Sequence, residues 1–240
     1  MRAKKMADTI FYATDIRHSQ QLPEQESLHC VKVLRMKEGD RLTVTDGKGF
    51  FYDCMLIQAH PKHCMVRIDK AVSQPKSWNF NLQIAFAPTK NIDRIEWFIE
   101  KATEIGIDRF SPLLCRFSER KELKKERLEK IIVSAMKQSQ QAVIPTIDEL
   151  ISFDQFIQQP FDGRKFIAHC YEAEKGFLPQ SYRKGENVLI LIGPEGDFSE
   201  EEIQQALNFG FEPTSLGENR LRTETACLAS CHTVHIINNI

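Results

Sequence analysis

Two short stretches carry more reactive side chains than their local structure needs. The first, LIGPEGDFSEEEI at 191–203, sets Gly193-Pro194-Glu195-Gly196 at the end of an apolar run. Glycine and proline together turn a chain sharply. Ser199 followed by Glu202 is an S-x-x-E capping box, so a helix opens there. Capping explains the serine and the glutamate, but not two glycines around Pro-Glu. The second, SLGENRLRTETACLAS at 215–230, ends a short strand at Leu216-Gly217 and then carries Arg220, Arg222 and Glu224. Thr223 or Thr225 is expected to cap the helix that follows. Two arginines, a glutamate and two threonines again exceed what capping requires. A guanidinium stays charged and offers several donors, which suits an anion forming during a reaction. A carboxylate beside it can accept a proton or fix the guanidinium.

The ligand class follows from charge. Neither GxGxxG nor GxxxxGK[ST] occurs, so the usual phosphate cradles are missing. Glu195, Asp197, Glu200, Glu201 and Glu202 crowd the turn after Gly193, where a helix dipole would welcome an anion. Those carboxylates already fill that role and would repel a phosphate. A neutral or cationic ligand fits better. S-adenosylmethionine meets the requirement, with a positive sulfonium, no phosphate, and an adenine that backbone amides can read.

Positioning these stretches falls to alternating strands and helices. LQIAFAP (82–88), RFSPLL (109–114), KFIAHC (165–170), NVLILIG (187–193) and EPTSLG (212–217) read as strands. Helices are expected over 91–106, 124–141, 200–209 and 224–237, the first with Ile92, Ile95, Ile99, Ala102 and Ile105 on one face and Gly106 as its stop. This alternation predicts an α/β domain with a parallel sheet covered on both faces. Ligands of such sheets bind beyond the carboxyl ends of the strands, where both stretches fall. The front of the chain differs. TIFYA (9–13), RLTVTD (41–46), FYDCMLI (51–57) and CMVRID (64–69) are short β runs, Asp46-Gly47-Lys48-Gly49 is a hairpin turn, and one helix is expected over 26–34. A small β-barrel would close them. The polar SQPKSW (73–78) marks the boundary, giving domains 1–73 and 74–240.

Composition narrows the class. The chain has 240 residues, near-zero net charge and ordinary apolar content. Residues 1–73 hold 12 Lys and Arg against 9 Asp and Glu, and residues 74–240 hold 20 against 24. A mildly basic front permits nucleic-acid contact without demanding it. The seven cysteines form no CxxC pair, which argues against a disulfide framework or zinc ribbon. His60, His63 and Cys64, and Cys227, Cys231, His232 and His235, are read as a loop and a buried helix face rather than metal sites. The basic start MRAKKMADTIFYA lacks the apolar block of a signal peptide, and no run reaches membrane length, so a cytoplasmic protein without membrane or metal is expected. RKELKKERLEK (120–130) reads as a wet helix face that can also grip RNA phosphates.

LIGPEGDFSEEEI followed by LGENRLRTETA resembles the signature of the bacterial 16S ribosomal RNA (uracil-N3)-methyltransferases, members of the SPOUT class. HCVKVLRMKEGD (29–40) and the DGKG turn resemble that family's PUA-like barrel, and KNIDRIEWFIEKATEIGI (90–107) its first SPOUT helix. Two departures stand out. Asp197 occupies the place of a glycine in GPEGG, and KQSQQ (137–141) replaces a Gln-Ser-Gly-Arg-like ending.

The resemblance implies a trefoil-knotted α/β domain, a homodimer, and methylation of N3 of a uridine in 16S ribosomal RNA of the small subunit, with S-adenosylmethionine as methyl donor. Carried over, Leu191, Gly193, Glu195 and Gly196 would line one wall of the cofactor pocket. Leu216, Gly217, Leu221, Arg222, Thr225 and Ala226 would line the other. His29, Lys32 and Arg35 of the barrel would help hold RNA. Chemistry assigns Arg222 to the charge on the uracil oxygens, and Glu224 or Glu195 to the proton or to fixing Arg222. Arg116, Arg120 and Lys124 are expected on RNA phosphates. Three other readings compete: an RNA-gripping assembly factor without catalysis, a SPOUT enzyme acting on transfer RNA or another base position, and a hydrolase using Cys170 beside His169. The last is disfavoured because adjacent strand residues point to opposite faces.

Overall fold

A computed structural model describes residues 9–240. The basic residues 1–8, part of the start read above for a leader, lie outside the described residues. The chain divides into two compact units, Met1–Trp78 with Val133–Ile144, and Asn79–Ile132 with Pro145–Ile240.

In the first unit β1 (Ile10–Tyr12) leads to α1 (Ile16–Ser19) and α2 (Glu24–Leu28), which runs on into a π-turn over His29–Val33. Then come β2 (Arg41–Thr45), β3 (Phe50–Gln58) and β4 (Met65–Ser73). The sheet order is β1-β2-β3-β4, with β1 parallel to β2 and the rest antiparallel. Alternation along β2 and β3 buries Leu42, Val44, Tyr52, Cys54 and Leu56 against Phe11, Ile16, Leu22 and Val66. The β2–β3 turn is fixed by Asp46, whose carboxylate accepts the Lys48 N–H at 2.8 Å and the Tyr52 hydroxyl at 2.9 Å. Gly47 has φ of 74°, and a Cβ there would come within 2.9 Å of the Tyr12 ring, so this position needs glycine twice over. Val133–Ile144 joins this unit by backbone bonds: Gly49 N–H to Ala142 O at 2.8 Å and Ile144 N–H to Gly47 O at 3.0 Å. Lys137 reaches Glu26 at 2.6 Å, and Ala142 is buried with Ile10 and Phe51.

The second unit opens with β5 (Leu82–Phe86), α3 (Ile92–Ile105), β6 (Arg109–Leu114) and the start of α4 (Lys125–Gln138). After β7 (Thr146–Ile147), β8 (Ile151–Ser152), α5 (Phe153–Ile157), β9 (Arg164–Ala168), β10 (Gly176–Phe177) and α6 (Leu178–Ser181) come β11 (Val188–Ile192), α7 (Glu200–Asn208), β12 (Glu212–Ser215) and α8 (Thr223–Asn239). The sheet is parallel, in the order β10-β12-β9-β11-β5-β6-β7, with β8 beside β6. The VLILI run of β11 lies between β9 and β5 and is buried throughout, as an interior parallel strand must be.

Odd-numbered residues Ala85, Leu189 and Leu191 meet Phe153, Phe156, Ile203 and Ala206 of α5 and α7. On the even side, Phe86, Phe98 and Phe110 stack edge to face at 5.3 and 5.6 Å, and α3 packs on α8. Each such buried ring contributes about 1.5–3 kcal/mol. Asn91 caps α3 by accepting the Asp93 N–H, and Gly106, at φ 121°, ends it as its sequence suggested. Two- to five-residue elements (β7, β8, α5, β10 and α6) were not legible, because such short pieces carry no periodicity. Among the described residues no helix is long and apolar enough to cross a membrane.

Candidate functional site

The carboxyl ends of β9, β11 and β12 open onto a cavity of about 590 Å³ in the second unit. Beyond Ile192 the chain bends through Gly193 and Pro194. A Cβ on Gly193 would come within 3.1 Å of the Phe198 nitrogen and ring, so a side chain there would have to push Phe198 aside by a few tenths of an ångström. Asp197 has φ of 68°. The left-handed region disfavours most side chains, yet Asp and Asn tolerate it when they bond locally. Asp197 does so. It accepts the Phe198 N–H at 2.8 Å and, across the cavity floor, the Cys170 N–H at 2.7 Å. Ser199 and Glu202 complete the expected capping box at the start of α7. The second oxygen of Glu202 accepts the Arg116 N–H at 2.8 Å. Glu195 accepts the Lys90 N–H at 3.0 Å, tying the corner to the loop after β5.

The opposite wall is the loop from Leu216 to Arg222. Neither threonine caps α8 as expected. Arg222 holds the N-cap position with extended backbone and no side-chain cap, and the buried Thr223 hydroxyl instead donates to the Gly193 carbonyl at 3.0 Å. A cap would have satisfied the helix. This bond satisfies the orphan carbonyl of the other corner and brings the two stretches together.

Of the residues expected around a ligand, Gly193, Glu195, Leu216, Gly217, Leu221, Arg222 and Ala226 line the cavity. Leu191, Gly196 and Thr225 lie outside that lining: Leu191 points into the core, Gly196 backs onto Phe117, and Thr225 is exposed. Arg222 is exposed, and among the described residues its guanidinium has no ion-pair or hydrogen-bond partner. Glu224 is buried, away from the cavity lining. One of its oxygens sits 3.8 Å from Arg94 and the other has no partner among the described residues. His29 and Lys32 lie on the π-turn of the first unit and Arg35 just after it, at φ 54°. Arg116, Arg120 and Lys124 follow β6. Arg116 pairs with Glu201 at 3.0 Å, Arg120 donates to the Thr89 and Lys90 carbonyls, and Lys124 is exposed.

Sequence reasoning missed Ala168, His169, Cys170 and Lys175, which line the same cavity. The signal was available: KFIAHC is a parallel strand, so its last residues had to reach the ligand edge. The alternation argument against His169 and Cys170 meeting fails, because β9 ends at Ala168 and both residues lie past it. Burial and Lys175 push the His169 imidazole below its usual range, leaving it neutral. Burial and Asp197 push the Cys170 thiol up, away from the thiolate a hydrolase needs. The two histidine–cysteine clusters serve other ends. His60 and His63 stack at 3.8 Å, and Cys231 and His235 both bond the Gly106 carbonyl.

Residues 76–235 match the model of an RNA methyltransferase domain, and residues 22–69 that of an RNA methyltransferase PUA domain. The Bacillus subtilis protein named ribosomal RNA small subunit methyltransferase E is 30% identical over 217 residues, 85% of this chain and 84% of that one. The crystal structure of a probable rRNA-methyltransferase from Porphyromonas gingivalis is 45% identical, with TM-score 0.90 over 96% of this chain and 98% of that one. A Neisseria gonorrhoeae ribosomal RNA small subunit methyltransferase E, bound to S-adenosyl methionine, is 25% identical, with TM-score 0.84 over 97% and 98%.

Proposed function

Because the chain belongs to the RNA methyltransferase family, we propose that it uses S-adenosylmethionine to methylate N3 of one uridine in the 16S RNA of the small ribosomal subunit. One observation carries this reading. The Thr223–Gly193 bond joins two glycine-bearing turns around a single cavity at the strand ends. The cavity volume lies within the range of small-ligand sites, roughly 300–1,000 Å³. Its wall is mixed in charge, with Glu195, Asp197 and Glu218 against Lys175, Arg220 and Arg222, and the sequence has neither GxGxxG nor GxxxxGK[ST]. Gly193, Leu216, Gly217, Leu221 and Ala226 would hold the ligand. Bound there, S-adenosylmethionine supplies a methyl group on positive sulfur.

The remaining chemistry belongs to the chain. Uracil N3 is a poor nucleophile while it keeps its proton. Arg222, an exposed guanidinium on the cavity wall, stabilises the charge that spreads onto the uracil oxygens. Glu195 is the better placed of the two candidate proton acceptors, because it lines the cavity while Glu224 is buried beside Arg94. The loops hold the nitrogen in line behind the methyl, which removes an entropic barrier.

The first unit serves RNA binding through His29, Lys32 and Arg35, and the second serves catalysis, with Arg116, Arg120 and Lys124 adding phosphate contacts that weaken in salt. The target base must leave its stack to enter the cavity. A trefoil knot is supported by the chain path: after β12, beyond β9, the chain passes Gly193 and returns to lay α8 on α3 and β5. A cytoplasmic homodimer follows from the same family reading.

Primer extension across small-subunit RNA, with native subunits as substrate, tests the proposal. A stop at one uridine that requires both protein and S-adenosylmethionine is expected. No cofactor-dependent stop, alongside tight RNA binding and no cofactor heat by calorimetry, would point to an assembly factor instead.

A further inference from the structure

Phe117 is a large apolar ring held out in solvent, 45% exposed. Its turn is not loose. The Cys115 N–H donates to the Ser118 hydroxyl at 3.0 Å, the Ser118 N–H returns to the Cys115 carbonyl at 3.1 Å, and the Arg116 N–H is fixed by the Glu202 carboxylate at 2.8 Å. Cys115 and Ser118 are buried, so the turn is anchored at both ends and presents the residues between them. The Phe117 side chain lies against Gly196 of the 193–197 corner. A Cβ on Gly196 would come within 3.1 Å of the Phe117 Cβ, so the corner carries glycine where that side chain approaches. The other side of that corner, through Gly193, Pro194 and Glu195, is cavity wall.

Exposed cations lie close by in sequence. The Arg116 guanidinium sits 5.8 Å from the ring centre and pairs with Glu201, Arg120 donates to the Thr89 and Lys90 carbonyls, and Lys121 and Lys124 are exposed. One rigid exposed ring among cations is too small an apolar area for a chain–chain interface. It has the composition of a stacking platform for single-stranded nucleic acid, where a π-face takes the base and cations take the backbone.

We propose that Phe117 stacks on the base next to the target uridine, with one wall of the corner facing that base and the other the methyl-transfer cavity. This rests on the RNA methyltransferase reading and names a contact that reading does not contain. Its role is positioning: the ring holds the neighbouring nucleotide while the target enters.

The test measures dissociation constants for small ribosomal subunits isolated from cells lacking this protein, using the full chain, Phe117→Ala, Phe117→Leu and Phe117→Trp, with S-adenosylhomocysteine affinity and sedimentation run alongside. Alanine should weaken subunit binding roughly 5-fold to 150-fold. Leucine should weaken it nearly as much, tryptophan should restore it, and cofactor affinity should not move. Equal binding by alanine and the natural chain overturns the proposal, as does rescue by leucine equal to that by tryptophan. A changed sedimentation of Phe117→Ala overturns it in favour of a second copy of the chain on this surface. Because the readout is binding, it still decides the stacking role if the natural chain binds subunits but transfers no methyl, the result that would sink only the catalytic reading.

Discussion

The two walls of the cavity are built in opposite ways. The corner after β11 is fastened at every turn: Asp197 to Cys170 and Phe198, Glu195 to Lys90, Ser199 to Glu202. The loop after β12 has fewer hydrogen bonds. Glu218, Asn219, Arg220 and Arg222 are exposed, and among the described residues its hydrogen bonds are the Ser215–Gly217 pair, a 3.5 Å contact from Arg220 to the Glu195 carbonyl, and Thr223 to Gly193. A rigid wall fixes where a ligand sits. A wall bearing an exposed guanidinium, without an ion pair among the described residues, can meet a charge that forms there. The comparison separates residues that should affect binding and stability from one that should affect turnover.

The largest effect should come from the wall after β12. Arg222→Ala should lower turnover by about 100-fold or more, as loss of an oxyanion donor does, while calorimetry shows S-adenosylmethionine affinity within about 3-fold, since backbone and apolar groups hold the ligand. Near-normal methylation by that variant would break the division of labour. On the fixed wall, Gly193→Ala must push Phe198 aside. It should cost about 1–3 kcal/mol in unfolding free energy and weaken cofactor binding more than it slows bound-state turnover. Thr223→Val removes the bond between the walls and leaves the Gly193 carbonyl orphaned, a loss of about 1–3 kcal/mol seen as a lower denaturant midpoint. Unchanged stability there would mean the walls are held together by something else.

The smallest effect is a pH dependence. Burial lowers the folded-state ionisation of His169 and His235 below their unfolded range. The unfolded chain then binds more protons on acidification, so stability is full above about pH 6.5 and falls as pH drops through the lowered folded values. Thermal midpoints should decline as pH falls below about 6.5, and His169→Gln should flatten part of that decline.

Much of the second unit was legible because its strands are continuous apolar runs and its helices have one buried face. RFSPLL was read with its exact bounds, and α3 to within a residue at each end. The first corner was legible from glycine and capping chemistry; at the second the expected threonine cap does not form. What stayed hidden depended on the third dimension. That Thr223 reaches Gly193 rather than capping α8 is a contact across 30 residues. That Glu224 faces Arg94 and not Arg222 depends on the rotation of α8 against α3. The strand alternation applied to His169 and Cys170 does not reach them, because β9 stops at Ala168. The positive φ of Asp197 fits its standing in a glycine's place, but its bond to Cys170 could not be read from the chain.

The first unit takes in Val133–Ile144 as well as the residues up to Trp78, and the bonds from Gly47 and Gly49 to Ile144 and Ala142 make that passage part of its hydrogen-bonded fabric. A fragment ending at Trp78 would therefore lack the partners of its own hairpin, and a fragment starting at Asn79 would carry a stray piece of its neighbour. Modules joined at one point can be separated by a single cut; this pair cannot, because the chain leaves the first unit at Trp78 and re-enters it at Val133.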